Sequence, residues 1–191
     1  MSKVIEIRWH GRGGQGAKTG SSILSEVLFE SGKFAQAFPE YGAERQGAPM
    51  KAYNRISETP IRVRSGVLNP DVVIVIDPTL LDAANPTEGG KDDTVYIINT
   101  TKKPEAIKKQ LGLPDSARVM TVDATSITLE EFGQNRPNTP MLGVVARLFE
   151  DVSVDAFIEH FRNKMGPKLP EKVLEANLNA IRRGYEEVQE G

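Results

Sequence analysis

A sequence of 191 residues, 39% apolar and 26% charged, is one domain's worth of chain and can bury roughly two thirds of its unfolded surface around a single core. Its 24 basic and 26 acidic residues leave a net charge of -2, so no overall basic field is available to gather nucleic acid or anionic lipid. Cysteine is absent, which removes disulfides, a thiolate nucleophile, Cys-bound zinc and Cys-bound iron-sulfur clusters from this polypeptide. The longest apolar run, residues 72–76, falls far short of the roughly 20 residues that cross a bilayer, and no apolar signal core opens the chain. The expectation is a soluble, cytoplasmic protein.

Val4, Ile5, Ile7 and Trp9 mark a first strand, which runs into His10-Gly11-Arg12-Gly13-Gly14-Gln15-Gly16. Residues 17–30 read as a helix, with Ile23, Leu24, Val27 and Leu28 on one face and Ser31-Gly32 as its stop. A short strand at 34–38 follows, and then a loop at 39–49 broken by Pro39, Gly42, Gly47 and Pro49. Residues 50–56 and 61–65 flank Ser57-Glu58-Thr59-Pro60 and suggest an antiparallel hairpin with one wet face. The unalternating run Asp71-Val-Val-Ile-Val-Ile-Asp77 indicates a strand covered on both sides.

Strands at 94–99 and 118–123, separated by a helix at 104–111 that Pro104 opens, complete a βαβ pattern. Asn85 to Asp93 reads as a surface loop. Thr139-Pro140 reads as the cap and first turn of a helix at 141–149, Ser153 caps another through about Met165, and the last helix spans about 171–189. The expected fold is α/β: one three-layer, Rossmann-like domain over residues 1–191. Its sheet is mixed but mostly parallel, with an antiparallel hairpin addition and C-terminal helices.

Gly11-Arg-Gly13-Gly-Gln-Gly16 satisfies G-x-G-x-x-G. Seventeen glycines in a chain of this length produce such a match by chance in roughly one chain in eight, so the signal lies in its position between strand and helix. There, main-chain N–H groups and the positive end of the helix suit a phosphate, and Arg12 can add a charged contact. A nicotinamide or flavin site also needs an acid about 20 residues on, and Glu40, after a proline, is the candidate. Tyr41, Glu44, Arg45 and Gln46 form either a self-contained turn or a second wall for the same ligand. Asp77, Asn99 and Asp123 close strands, and read as turn or cap residues before ligand contacts. His10 adjoins the glycine loop, and His160 reads as a solvated helix residue. No catalytic centre and no metal-binding motif stands out in this chain.

Four ordered segments taken together resemble the gamma subunit of the 2-oxoacid:ferredoxin oxidoreductases. They are His10-Gly-Arg-Gly-Gly-Gln-Gly16, Phe38-Pro-Glu-Tyr-Gly-Ala-Glu-Arg-Gln-Gly-Ala-Pro49, Asn69-Pro-Asp-Val-Val-Ile-Val-Ile-Asp77 and Asn138-Thr-Pro-Met-Leu-Gly143. The second segment resembles the pyruvate:ferredoxin oxidoreductase (pyruvate synthase) branch. The resemblance implies a heterotetramer with alpha, beta and delta subunits that converts pyruvate and coenzyme A reversibly to acetyl-CoA and CO2, with ferredoxin taking the electrons. It implies that thiamine diphosphate, Mg and the iron-sulfur clusters sit on the companion subunits. This chain then lines the cleft, and Gly11 to Gly16 with Tyr41, Glu44, Arg45 and Gln46 can contact coenzyme A. The alternative from the residues themselves is a self-contained NAD(P)- or flavin-binding oxidoreductase.

Overall fold

The computed structural model describes residues 4–40 and 47–191. Alternation along β1 (Ile5–Arg12) sets the plan: Ile7 and Trp9 point to one face of the sheet and Arg8 and His10 to the other, and all four are buried. β1 pairs antiparallel with β3 (Pro49–Ser57), whose far edge takes β2 (Phe34–Glu40), also antiparallel. On its other side β1 pairs parallel with β4 (Val72–Val75), followed by β5 (Val95–Asn99) and β6 (Arg118–Val122). A two-residue strand, β7 (Gln189–Glu190), closes the edge of β6 in the antiparallel sense. The order is β2-β3-β1-β4-β5-β6-β7.

Five helices cover the face of Ile7 and Trp9: α1 (Ala17–Glu30), α4 (Ala124–Phe132), α5 (Asn138–Ala146), α6 (Val154–Met165) and α7 (Glu171–Glu187). Every residue of α5 is buried, because it lies between the sheet and α7. The two helices cross at glycines: a Cβ on Gly143 would stand 1.9 Å from the carbonyl oxygen of Ile181, and one on Gly184 would stand 2.0 Å from that of Pro140. The opposite face carries α2 (Leu80–Ala83) and α3 (Pro104–Leu111) over Val73, Val75, Tyr96, Ile98 and Val119. The fold is α/β with a parallel centre, a hairpin addition and C-terminal helices, as the sequence leads one to expect.

Three details differ from the sequence expectation. The hairpin is β2 with β3, not 50–56 with 61–65. Both edges of β3 are taken by β1 and β2, so residues 61–65 run exposed and unpaired outside the sheet. The helix expected from 141 begins at Asn138, since its first turn is buried against α1 and α7 rather than capped from solvent. The last helix stops at Glu187, and the chain then extends into β7, which the short segment Gln189–Glu190 gave no pattern to signal. Ser153 caps α6 as expected, accepting from the Ala156 N–H.

Candidate functional site

The parallel strands β1, β4, β5 and β6 all end at one edge of the sheet, where an open α/β fold places ligands. Gly11 and Arg12 are the last residues of β1, so the turn proper is Gly13 to Gly16. Gly14 (φ 95°) and Gly16 (φ 86°) both take the left-handed conformation that side chains disfavour, and this reverses the chain directly into α1. The first helical hydrogen bond runs from the Gly20 N–H to the Gly16 carbonyl at 2.8 Å. The amides of Ala17 and Thr19, ahead of Gly20, have no acceptor within the helix, and no side chain caps them. These are the donors, with the positive helix end, that suit an anion.

The turn is held rigidly from both sides. The Gly13 N–H donates to the Ala48 carbonyl (3.0 Å), and the Gly47 N–H donates to the Gly13 carbonyl (3.2 Å). The Arg12 N–H donates to Gln15 Oε1 (2.8 Å), while Gln15 Nε2 donates to Asp77. Arg12 directs Nε and Nη2 to Thr79 Oγ1 and Nη1 to the Gly47 carbonyl, with Asp77 3.4 Å from Nε. That leaves N–H groups on both terminal nitrogens of Arg12, a residue about 29% exposed at its side chain, for a ligand. Burial alone would raise the pKa of Asp77, but hydrogen bonds from Thr79 and Gln15 and the charge of Arg12 outweigh it and hold the carboxyl below its usual range.

Gln15 and Asp77 are therefore the frame of the loop. Asn99 bridges the Ile76 carbonyl (2.8 Å) and Thr125 Oγ1 (2.9 Å), and Asp123 caps α4 by accepting from the Ser126 N–H (3.0 Å). Tyr41, Glu44, Arg45 and Gln46 lie outside the described residues. His10 is buried with Nε2 accepting from Arg8 Nε (3.0 Å), on the face of the sheet away from α1. Burial, then the charges of Arg8 and Lys51, depress its pKa to about 3. His160, expected in solvent, is buried between α6 and α1, its Nδ1 2.7 Å from Glu30 and its Nε2 3.1 Å from Glu26. Two carboxylates on α1 face it across the helix pair, a partnership that one-dimensional spacing cannot show.

The structure adds a residue to the glycine turn. Asn138, at the start of α5, is 9% exposed, and its carboxamide makes no hydrogen bond within the described chain. It lies directly over Gly16, so close that a Cβ on Gly16 would come within 2.5 Å of its Cγ. The amide is without a partner among the described residues, and its polar atoms stay open to solvent at the N-terminus of α1. The sequence signalled this segment as a helix cap at Thr139-Pro140, but Thr139 instead donates to Asn177 Oδ1 (3.0 Å).

The arrangement does not fit a dinucleotide fold of the usual plan. The strand bearing Glu40 is antiparallel and separated from β1 by β3, and Glu40 accepts from the Tyr53 hydroxyl. Among the described residues no group of three or more His, Asp or Glu is placed to hold a metal ion, and no helix is long and apolar enough to cross a membrane.

Residues 6–187 match the sequence profile of the family described as pyruvate ferredoxin/flavodoxin oxidoreductase. The chain is 51% identical to the pyruvate synthase subunit PorC of Thermotoga maritima over 98% of its own length and 96% of that relative. It is 42% identical to the common gamma subunit of the pyruvate/ketoisovalerate oxidoreductases of Pyrococcus furiosus, over 97% and 98% of the two chains. The crystal structure of the Thermotoga maritima subunit superposes with a TM-score of 0.85 at 46% identity, covering 99% of both chains.

Proposed function

The chain belongs to the pyruvate ferredoxin/flavodoxin oxidoreductase family as the gamma subunit of a multi-subunit enzyme, and from that premise we propose that it grips the phosphates of coenzyme A. The assembled enzyme then converts pyruvate and coenzyme A to acetyl-CoA and CO2, reversibly, passing the electrons to ferredoxin. The observation that carries the coenzyme A reading is the position of the Asn138 amide, open and without a partner among the described residues, directly over Gly16. An amide held in place over a helix N-terminus with its donor open is ready to bond a ligand without rearrangement. A diphosphate at the α1 N-terminus accepts from Asn138 and from the main-chain N–H groups of Ala17 and Thr19 at the start of the helix, with Arg12 at its edge. Tyr41, Glu44, Arg45 and Gln46 belong to this proposal as the second wall, since their flank Gly47 is bonded to Gly13.

The carbon and electron chemistry belongs to thiamine diphosphate, Mg and iron-sulfur clusters on the alpha, beta and delta companions. This sequence has no cysteine to ligate a cluster. What this chain supplies is position: a rigid cradle that fixes one end of the acyl acceptor so that its thiol end is delivered to the companions. Choice of the 2-oxoacid lies elsewhere, a reading supported by the Pyrococcus furiosus relative, which is named as common to two enzymes of different substrate. The place of work is the cytoplasm.

The test is Asn138→Ala in the assembled enzyme. Removal of one donor to a charged acceptor raises the apparent KM for coenzyme A by about tenfold or more, while the KM for pyruvate stays at its wild-type value. An unchanged coenzyme A KM in this variant and in Arg12→Ala removes the coenzyme A role and leaves a turn that serves packing.

A further inference from the structure

The face of the sheet turned away from α1 carries a second built feature, independent of the coenzyme A reading. Over β1, β2 and β3 lies an open cavity of about 590 Å³, lined by the cations Arg8, Lys51 and Arg64, by the carboxylates Glu40 and Glu88, and by Phe38, Tyr53 and Leu68. Arg8 is 3% exposed. It donates from Nε to His10 Nε2 and from Nη2 to the carbonyls of Pro86 (3.1 Å) and Glu88 (2.6 Å), leaving Nη1 without an acceptor on the cavity side.

His10, receiving a proton bond at Nε2, carries its own hydrogen on Nδ1. It lines a smaller cavity of about 130 Å³ that shares Glu40 and Lys51 with the first. Burial holds the Arg8 guanidinium below its usual pKa even though the charges of Glu88 and Glu40 oppose the shift. Among the described residues no carboxylate lies within ion-pair distance of Arg8, Lys51 or Arg64, and Glu40 is engaged by the Tyr53 hydroxyl. Three cations against two carboxylates, one of them engaged by Tyr53, leave the cavity with an excess of positive charge that suits a carboxylate.

Its rim identifies the kind of molecule that brings one. Leu68, in the cavity lining, is 77% exposed, and Val63, 54% exposed, stands between Arg62 and Arg64 in the segment that leads to it. The main chain of 61–68 makes no backbone-to-backbone hydrogen bond among the described residues, and only the Ile61 and Gly66 carbonyls accept, from the Gln36 and Arg55 side chains, so most of its donors and acceptors are open. A free small carboxylate would leave the leucine, the valine and this backbone in water. A peptide covers all three.

We propose that this cavity seats an acidic segment of a companion subunit in the assembled oxidoreductase, its carboxylate on Arg8 and Lys51 and a neighbouring apolar side chain over Leu68. The proposal rests on membership of a multi-subunit family and not on the ligand of the glycine turn. Docking desolvates the charge pair under an apolar lid, which gives the contact both its strength and its dependence on salt.

A chain without cysteine allows a direct test. Leu68→Cys and, as control on the other face, Leu129→Cys are assembled with the companion subunits, and maleimide labelling of each site is followed by peptide mass in the free subunit and in the complex. The expected result is labelling at position 68 slowed by about tenfold or more in the complex, with position 129 as the reference. Arg64→Glu is expected to weaken assembly by about tenfold, with an unchanged melting temperature for the isolated chain because Arg64 is exposed. Equal labelling of position 68 in both states, or wild-type assembly of Arg64→Glu, overturns the proposal. So does saturable binding of succinate to the assembled complex that Arg64→Glu abolishes, since the cavity would then be open to a free carboxylate.

Discussion

Two neighbours on one strand divide the molecule. Trp9 points from β1 into a dry layer of α1 and α5, where its ring touches Gly20 and its Nε1 donates to Asn54 Oδ1 at 2.7 Å; Asn54 in turn donates to the Ser21 carbonyl and to Ser25 Oγ. Every polar atom of that small network is satisfied inside the chain. Arg8 points the other way, into a face where Arg8, Lys51, Arg55 and Tyr53 take the places that Val73, Val75 and Ile98 hold one or two strands further along. Arg55 is paired with Glu6 (2.7 Å) yet keeps a buried Nη1 without an acceptor. The Trp9 network is closed within the chain, whereas the Arg8 face keeps unmatched donors in the middle of the sheet. The closed network stabilises the fold, and the open donors are where a companion is expected.

The sharpest way to break this comparison is on the face of the closed network. Trp9→Ala removes the largest fully buried side chain and strands the Asn54 amide oxygen, so it should cost about 3–5 kcal/mol in the unfolding free energy of the isolated chain, read by urea denaturation. A loss below about 1 kcal/mol would mean that the helical layer is not what holds β1. Gly143→Ala comes next. Its methyl group meets a backbone carbonyl that no side-chain rotation can move, so α5 and α7 must separate, at about 3 kcal/mol, measured in the same way. Retention of wild-type stability would show that the helix crossing is looser than its geometry.

How much of this was legible in the sequence follows the same division. α1, α3 and α6 came out with their bounds, because caps, prolines and 3.6-residue spacing act locally. β4 was legible as a strand covered on both faces because five apolar β-formers stand in a row. Residues 61–65 carry the same alternation as a strand, but strand pairing is decided by which edges remain free, and β3 has none. Of the candidate site, the glycine turn was visible as a motif. Asn138 was not, because its meaning depends on α5 crossing over Gly16 from more than a hundred residues away. Likewise nothing along the chain announces that His160 sits between Glu26 and Glu30.

On the charged face the effects are smaller and depend on conditions. His10 stays neutral in the fold down to about pH 3, whereas in the unfolded chain it takes a proton near 6.5. Its folded pKa is depressed, so acidification favours the unfolded state: the contribution is intact above pH 6.5 and is lost as the pH falls from 6.5 towards 3. By pH 5 the loss amounts to about 2 kcal/mol. His10→Gln keeps an acceptor for Arg8 without a titrating group, and its stability should fall less steeply over that interval. Parallel curves for the two proteins from pH 7 to pH 4 would place a charge on His10 within the fold.

The smallest expected effect separates folding from assembly. Arg8→Met keeps the length of the side chain and removes a buried cation whose acceptors are two carbonyls and a neutral imidazole, so no opposite charge is stranded when it goes. The relief of desolvation offsets the lost hydrogen bonds, and the isolated chain should change in stability by less than about 1 kcal/mol. The same variant should assemble poorly with its companions, because the carboxylate that Arg8 awaits would be buried without a partner. A loss of about 3 kcal/mol or more in the isolated chain would mean instead that Arg8 is held by the fold for its own sake. The contrast between positions 8 and 9 would then vanish.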